Sequence, residues 1–84
     1  MIYSVRETNS GYFVDAKDDN NVITGTYLVT VRNNHYDCSC EQFQRTRNVY
    51  NHVHILVVKK WIESGKPQYA RYYKDKSGKL EVLI

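Results

Sequence analysis

Residues 36–58 have the sequence YDCSCEQFQRTRNVYNHVHILVV. This stretch holds both cysteines of the chain and two of its three histidines, arranged as Cys38-x-Cys40 and, after eleven more residues, His52-x-His54. In an extended segment, residues i and i+2 point the same way, so both sulfur atoms can meet at one point. In a helix they diverge, so the two imidazoles converge only if His52 precedes a helix and His54 lies in its first turn.

A helix over residues 53–63 meets that condition. The apolar residues of this segment recur at helical spacing, with two lysines and a glutamate on the other side. Asn51 is a suitable N-cap, and Gly65 followed by Pro67 is a strong stop signal. The sequence therefore predicts a helix whose first turn carries the second pair of ligands.

Two thiolates and two imidazoles form a closed tetrahedral site for Zn²⁺, with no open position for a catalytic water. A single cysteine or histidine is more often an ordinary buried or surface residue than a metal ligand. A Cys-x-Cys pair followed by a His-x-His pair is much less likely to occur by chance. A disulfide between Cys38 and Cys40 would close a small, strained ring. We therefore predict one structural zinc ion per chain, bound by Cys38, Cys40, His52 and His54. His35 is an alternative to either histidine.

The rest of the chain has short segments rich in Tyr, Val and Thr, which are typical of strands. Residues 41–51 lack a clear period and are predicted to be a loop anchored by Phe43. The predicted strand pairs are 2–6 with 12–17, 26–32 with 35–37, and 68–74 with 79–83. These elements predict an α+β fold: a single domain over residues 1–84, a small zinc-stapled unit of short antiparallel β-hairpins packed on one α-helix.

The motif resembles the SWIM zinc finger, in which a strand hairpin, Cys-x-Cys, an aromatic anchor and Cys-x-His lead into an apolar helix. The matching segments here are YDCSCEQF at 36–43 and HVHILVV at 52–58. The resemblance covers about residues 27–62, and the C-terminal hairpin at about 66–84 lies outside it. The family's third ligand is normally Cys, whereas this chain has His52.

The resemblance implies a binding module without catalytic activity. SWIM modules occur in remodelling-type ATPases, transposases, ubiquitin ligases and recombination mediators, and they are proposed to contact DNA or other proteins. The residues agree, because the chain has no glycine-rich phosphate loop, no HExxH and no serine-centred nucleophile motif. We therefore expect neither an enzyme nor a small-molecule substrate.

The charge distribution indicates a polyanionic partner. The chain carries 12 basic and 9 acidic residues, a net charge of +3, and the basic excess lies entirely after residue 37. Cations interleaved with tyrosines favour phosphate contacts and base stacking. The predicted DNA-binding residues are Arg45, Arg47, Lys59, Lys60, Arg71, Lys74 and Lys76. The alternative is a protein-interaction adaptor, for example a partner of a recombinase, transposase or remodelling complex, with a purely structural zinc.

No segment has the pattern of a signal peptide or a membrane span. The longest aliphatic run is residues 55–58, far below the roughly 20 residues that a spanning helix needs. The sequence therefore predicts an intracellular protein with no membrane partner, cytoplasmic or, in a eukaryote, nuclear.

Overall fold

A computed structural model of the chain describes residues 1–47, 52–68 and 70–83. Six antiparallel strands form one sheet in the order β4-β3-β2-β1-β5-β6, which curls into a half-barrel. The strands are β1 (Ile2–Thr8), β2 (Gly11–Lys17), β3 (Ile23–Arg32), β4 (His35–Cys38), β5 (Arg71–Lys74) and β6 (Leu80–Leu83). Two helices, α1 (Glu41–Thr46) and α2 (Val53–Glu63), connect β4 to β5.

The predicted arrangement of separate hairpins on one helix is wrong. The local pairs do form, but they join edge to edge into a single sheet because β2 also pairs with β3 and β1 also pairs with β5. That contact places Tyr3 opposite Tyr72, whose side chain is fully buried. Joining the hairpins pairs residues 2–4 of β1 on both sides and leaves fewer open strand edges.

The prediction of a loop over residues 41–51 is also wrong in its first half, which forms α1. Cys40 is the N-cap of this helix, and its sulfur accepts a hydrogen bond from the Phe43 backbone N–H at 3.4 Å. Phe43 is buried in the core, so this residue does anchor the segment as expected. Residues 48–51 lie outside the described part of the chain.

The α2 helix has the predicted bounds and packs across one face of the sheet, where it contacts β1, β2, β3 and β4. Ile55, Val57 and Val58 are completely buried there. Burial of each such side chain is worth roughly 1.5–3 kcal/mol, so this helix face contributes substantially to the stability of the core. Trp61 closes the far end, where its indole N–H donates to the Pro67 carbonyl oxygen at 2.8 Å. The predicted N-cap, Asn51, is outside the described residues, and His52 occupies the N-cap position.

The turn between β3 and β4 places the cysteine pair. Asn33 and Asn34 both have positive φ, of 51° and 67°, as the tight turns favoured in hairpins require. The resulting register sets Cys38 opposite Val29, on the sheet face that α2 covers. Among the described residues, no helix is long and apolar enough to span a membrane.

Candidate metal centre

The four predicted ligands come from the ends of three elements. Cys38 is the last residue of β4, and Cys40 is the N-cap of α1. His52 is the N-cap of α2, and His54 lies in its first turn, as the convergence argument requires. Ser39 fixes the cysteine pair against β3, since its backbone N–H donates to the Leu28 carbonyl and its hydroxyl accepts from the Leu28 N–H, both at 2.9 Å.

The ligand atoms converge on one point. Each residue offers one sulfur or nitrogen atom, and all four atoms lie within 4.8 Å of one another. The Cys38 Sγ to His54 Nδ1 distance is 3.6 Å, Cys40 Sγ to His52 Nε2 is 3.0 Å, and His52 Nε2 to His54 Nδ1 is 3.1 Å. With metal–sulfur bonds of about 2.3 Å and metal–nitrogen bonds of about 2.0 Å, a tetrahedral ion needs edges of about 3.3–3.8 Å. To reach that geometry, the 3.0 and 3.1 Å separations must lengthen by a few tenths of an ångström, and any separation near the 4.8 Å limit must shorten.

The group is shielded from water. All four residues are buried, with at most 8% of their surface exposed. The Tyr27 ring stacks on the His54 imidazole at 4.1 Å, the Tyr3 ring meets the same imidazole edge-on at 5.9 Å, and Phe43 lies 5.2 Å from the His52 ring. These rings hold the imidazole planes and leave no approach for a substrate from their side.

A glycine in β3 makes room for the stacked ring. The Tyr27 phenol lies over Gly25, where a Cβ would overlap it. Gly25 has no left-handed backbone, so its small size rather than its φ freedom matters here. An aromatic ring covering a strand glycine is a recognised way of stabilising such a position. Gly25 therefore helps to position His54 through Tyr27.

Burial determines the protonation states of the ligands in the absence of metal. It lowers the pKa of His54 to about 4, an effect to which the charge of neighbouring His52 adds, and it also lowers the pKa of His52. Burial raises the pKa of the Cys38 thiol to about 12. Both imidazoles are therefore neutral and ready to bind at pH 7, whereas Cys38 must lose a proton to a metal ion.

The group can bind a metal ion, and its four protein ligands suit a structural role, because a tetrahedral ion would have no position left for a substrate. The predicted ligand set is brought together in full. The alternative ligand, His35, is exposed at the start of β4 and does not belong to the group.

The predicted DNA-binding cations belong to three separate parts of the chain. Arg45 and Arg47 lie at the end of α1, where Arg45 pairs with Glu41 at 2.8 Å. Lys59 and Lys60 lie on α2, and the Lys59 ammonium sits 4.9 Å from the centre of the Tyr36 ring. The remaining three belong to the C-terminal hairpin: Arg71, Lys74 and Lys76. Their role in nucleic-acid binding stays a prediction.

Sequence reasoning missed two cations that the fold places beside Arg71. Arg6 on β1 and Lys17 on β2 line the same cleft as Arg71. Both residues come from the N-terminal part of the chain, whose net charge is negative. The net charge of that segment therefore gave no indication of a basic surface. The alternation of apolar and polar residues in YFVDAK at 12–17 could have indicated the position of Lys17. In a strand with this period of two, Lys17 lies on the face opposite that of Val14.

No family model, curated protein or solved structure matches this chain.

Proposed function

We propose that the protein is a non-enzymatic module whose fold is held by one structural zinc ion. The observation that carries the proposal is the buried convergence of Cys38, Cys40, His52 and His54. Two thiolates and two imidazoles are ligands that zinc prefers, and with Zn²⁺ they make a formally neutral group. A neutral group is the least costly charge state to bury, which fits the enclosing aromatic rings.

The likeness to the SWIM motif supports a binding role for the module. The cysteine pair lies at the end of a strand hairpin and the histidine pair opens the apolar helix, as that motif requires. His52 stands at the sequence position of that motif's usual third cysteine, and its Nε2 atom lies 3.0 Å from Cys40 Sγ. This exchange keeps the site four-coordinate and removes one negative charge from it.

Native mass spectrometry of the purified protein tests the zinc assignment. We expect a mass increment of one zinc ion per chain, lost on treatment with a strong chelator. His54→Ala should lose the ion because it removes a buried ligand, whereas the matched control His35→Ala should keep it because His35 is exposed and outside the group. Stoichiometric zinc in His54→Ala, or another metal in the wild-type protein, would contradict the assignment.

As the role of the module, we infer nucleic-acid binding. The support is electrostatic: the net charge of +3 combines with exposed cations on α1 and the C-terminal hairpin. Lys and Arg displace counterions from phosphates, which gives affinity without sequence specificity. The apolar face of α2 packs against the core, so this helix is not free to enter the major groove and read bases there.

The alternative role, a protein-interaction adaptor, is supported by the two sheet edges, β4 and β6, which can accept a partner strand. Salt dependence separates the two roles. With about four phosphate contacts, duplex DNA affinity should fall with a log–log slope against salt near −4, at about −0.9 per contact. Titrating labelled single-stranded and duplex DNA at several salt concentrations measures it. No binding at tens of micromolar protein would leave the adaptor role.

A further inference from the structure

The sheet face opposite α2, here called the outer face, carries a charged cleft. Tyr3, Val14 and Tyr72 point into the core, so their strand neighbours Ser4, Asp15 and Arg71 belong to the outer face. The cleft has a volume of about 290 Å³ and is lined chiefly by Ser4, Arg6, Asp15, Lys17, Gln68 and Arg71. It is therefore near the lower size limit of ligand sites, roughly 300 Å³.

The register explains why a cleft forms. Ser4 on β1 lies between Asp15 on β2 and Arg71 on β5. Its short side chain leaves a depression, and the longer Arg6, Lys17 and Arg71 side chains stand around it. Three cations from three adjacent strands therefore surround a small polar floor.

The cleft has an excess of positive charge, and one of its cations is fixed in place. Asp15, only 7% exposed, accepts from Arg6 Nε at 3.0 Å, from Arg6 Nη2 at 3.3 Å and from the Thr26 hydroxyl at 2.8 Å. This bidentate pairing orients the guanidinium and neutralises one charge. Within residues 1–47, 52–68 and 70–83, Lys17 and Arg71 have no carboxylate at ion-pair distance. Two positive charges are thus available to an anion.

Flat groups flank the cleft. Tyr73, partly exposed, lies two residues after Arg71 on the same strand face and opposite Ile2. On the other side, the Arg6 guanidinium lies 5.5 Å from the centre of the Phe13 ring, and its side chain is 59% exposed. Aromatic rings and guanidinium planes are the groups on which unstacked bases stack.

We propose that this outer-face cleft binds single-stranded nucleic acid, with Lys17 and Arg71 contacting a phosphate and Tyr73 and Arg6 offering stacking surfaces to the flanking bases. The inference rests on the proposed nucleic-acid role and assigns its surface. A single strand fits better than a duplex, because the stacking groups lie on the sheet itself and need bases free of their own stack. Lys17 and Arg71 then act as binding residues, and Asp15 positions Arg6.

Fluorescence anisotropy with a labelled oligothymidylate of about 12 nucleotides, a length within the site sizes of small single-strand binders, tests the proposal on the zinc-loaded full chain. The double variant Lys17→Ala/Arg71→Ala should bind at least about tenfold more weakly and reduce the salt slope by about 1.4, at about 0.7 per lost contact. Tyr73→Leu should weaken binding without changing the slope, because it removes stacking but no charge. Circular dichroism and zinc content confirm that each variant is folded.

The matched control is Arg32→Ala/Lys66→Ala, which removes the same charge from the end of β3 and from the segment after α2, outside the residues that line the cleft. It should retain wild-type affinity. If this control loses binding and the cleft variant keeps it, the cleft assignment is overturned while the nucleic-acid role stands. Equal losses in both variants, or binding to anionic lipid vesicles but not to the oligonucleotide, also overturn it. If the wild-type protein binds neither single strands nor duplex, the nucleic-acid role itself fails.

Discussion

Chelation of the metal is expected to abolish cooperative thermal unfolding of the protein. The four candidate ligands lie at the end of β4 and at the starts of α1 and α2, so a bound ion would link the sheet edge to both helices. Structural zinc contributes about 10–16 kcal/mol in zinc-finger peptides, as much as or more than the 5–15 kcal/mol stability of a typical domain. Circular dichroism of the chelated protein should show loss of helical signal and of the melting transition, both restored by added zinc.

The ligand variants give this experiment its controls. Cys38→Ser should behave like the chelated protein, because it removes a buried ligand and leaves the other three without a complete shell. His52→Cys should keep both the ion and the fold, because a thiolate is also a zinc ligand. An unchanged spectrum and melting temperature in the metal-free protein would show that the sheet and core suffice without the ion.

The apparent zinc affinity is expected to fall as the pH is lowered, with a slope that reports the state of the metal-free protein. In an unfolded chain, thiols protonate below about 8.5 and imidazoles below about 6.5. Release of zinc to an unfolded chain at pH 5–6 therefore takes up about four protons. In a folded metal-free protein, His54 stays neutral down to about pH 4 and the pKa of His52 is lowered as well. Release then takes up fewer than four protons, because His54 stays neutral and the lowered pKa of His52 reduces its proton uptake.

A competition titration with a chromophoric chelator of known proton affinity measures this slope across the pH range. If chelation unfolds the protein, the logarithm of the apparent zinc affinity should change by about four per pH unit between pH 5 and 6. His35→Ala should leave the slope unchanged, because that histidine is exposed and is not a ligand. A pH-independent affinity would contradict a site of thiolates and imidazoles.

The ligand set and α2 were predictable because their signals are local. Spacing within 38–54 and a helical period over 53–63 require no knowledge of distant residues. The same holds for the Asn33-Asn34 turn. The order of the strands in the sheet was not predictable from local patterns. The paired strands β1 and β5 are far apart in the sequence, and neither contains a pattern that identifies the other as its partner. The α1 helix was not predicted because its N-cap is a cysteine, and cysteine is not among the residues that usually mark the start of a helix.

The outer-face cleft shows a different limit. The net charge of a sequence segment does not show which cations lie together in space. The cleft combines Arg6 and Lys17 from an acidic segment with Arg71 from a basic one. Antiparallel pairing brings these residues together through register alone. Predicting such a surface requires the strand order, which is the very feature that local patterns leave open.

The two ends of the sheet are attached to the rest of the molecule in different ways. At one end, β4 is tied to both helices through the metal ligands. At the other end, β5 pairs with β1 over three residues, from Ile2 to Ser4, and β6 pairs with β5. We expect the C-terminal hairpin to open at a lower free-energy cost than the half that holds the ligand group, because it pairs with only three residues of β1, and the buried Tyr72 ring sets most of that cost. Hydrogen exchange should therefore show weaker protection for the amides of β5 and β6 than for those of β2 and β3.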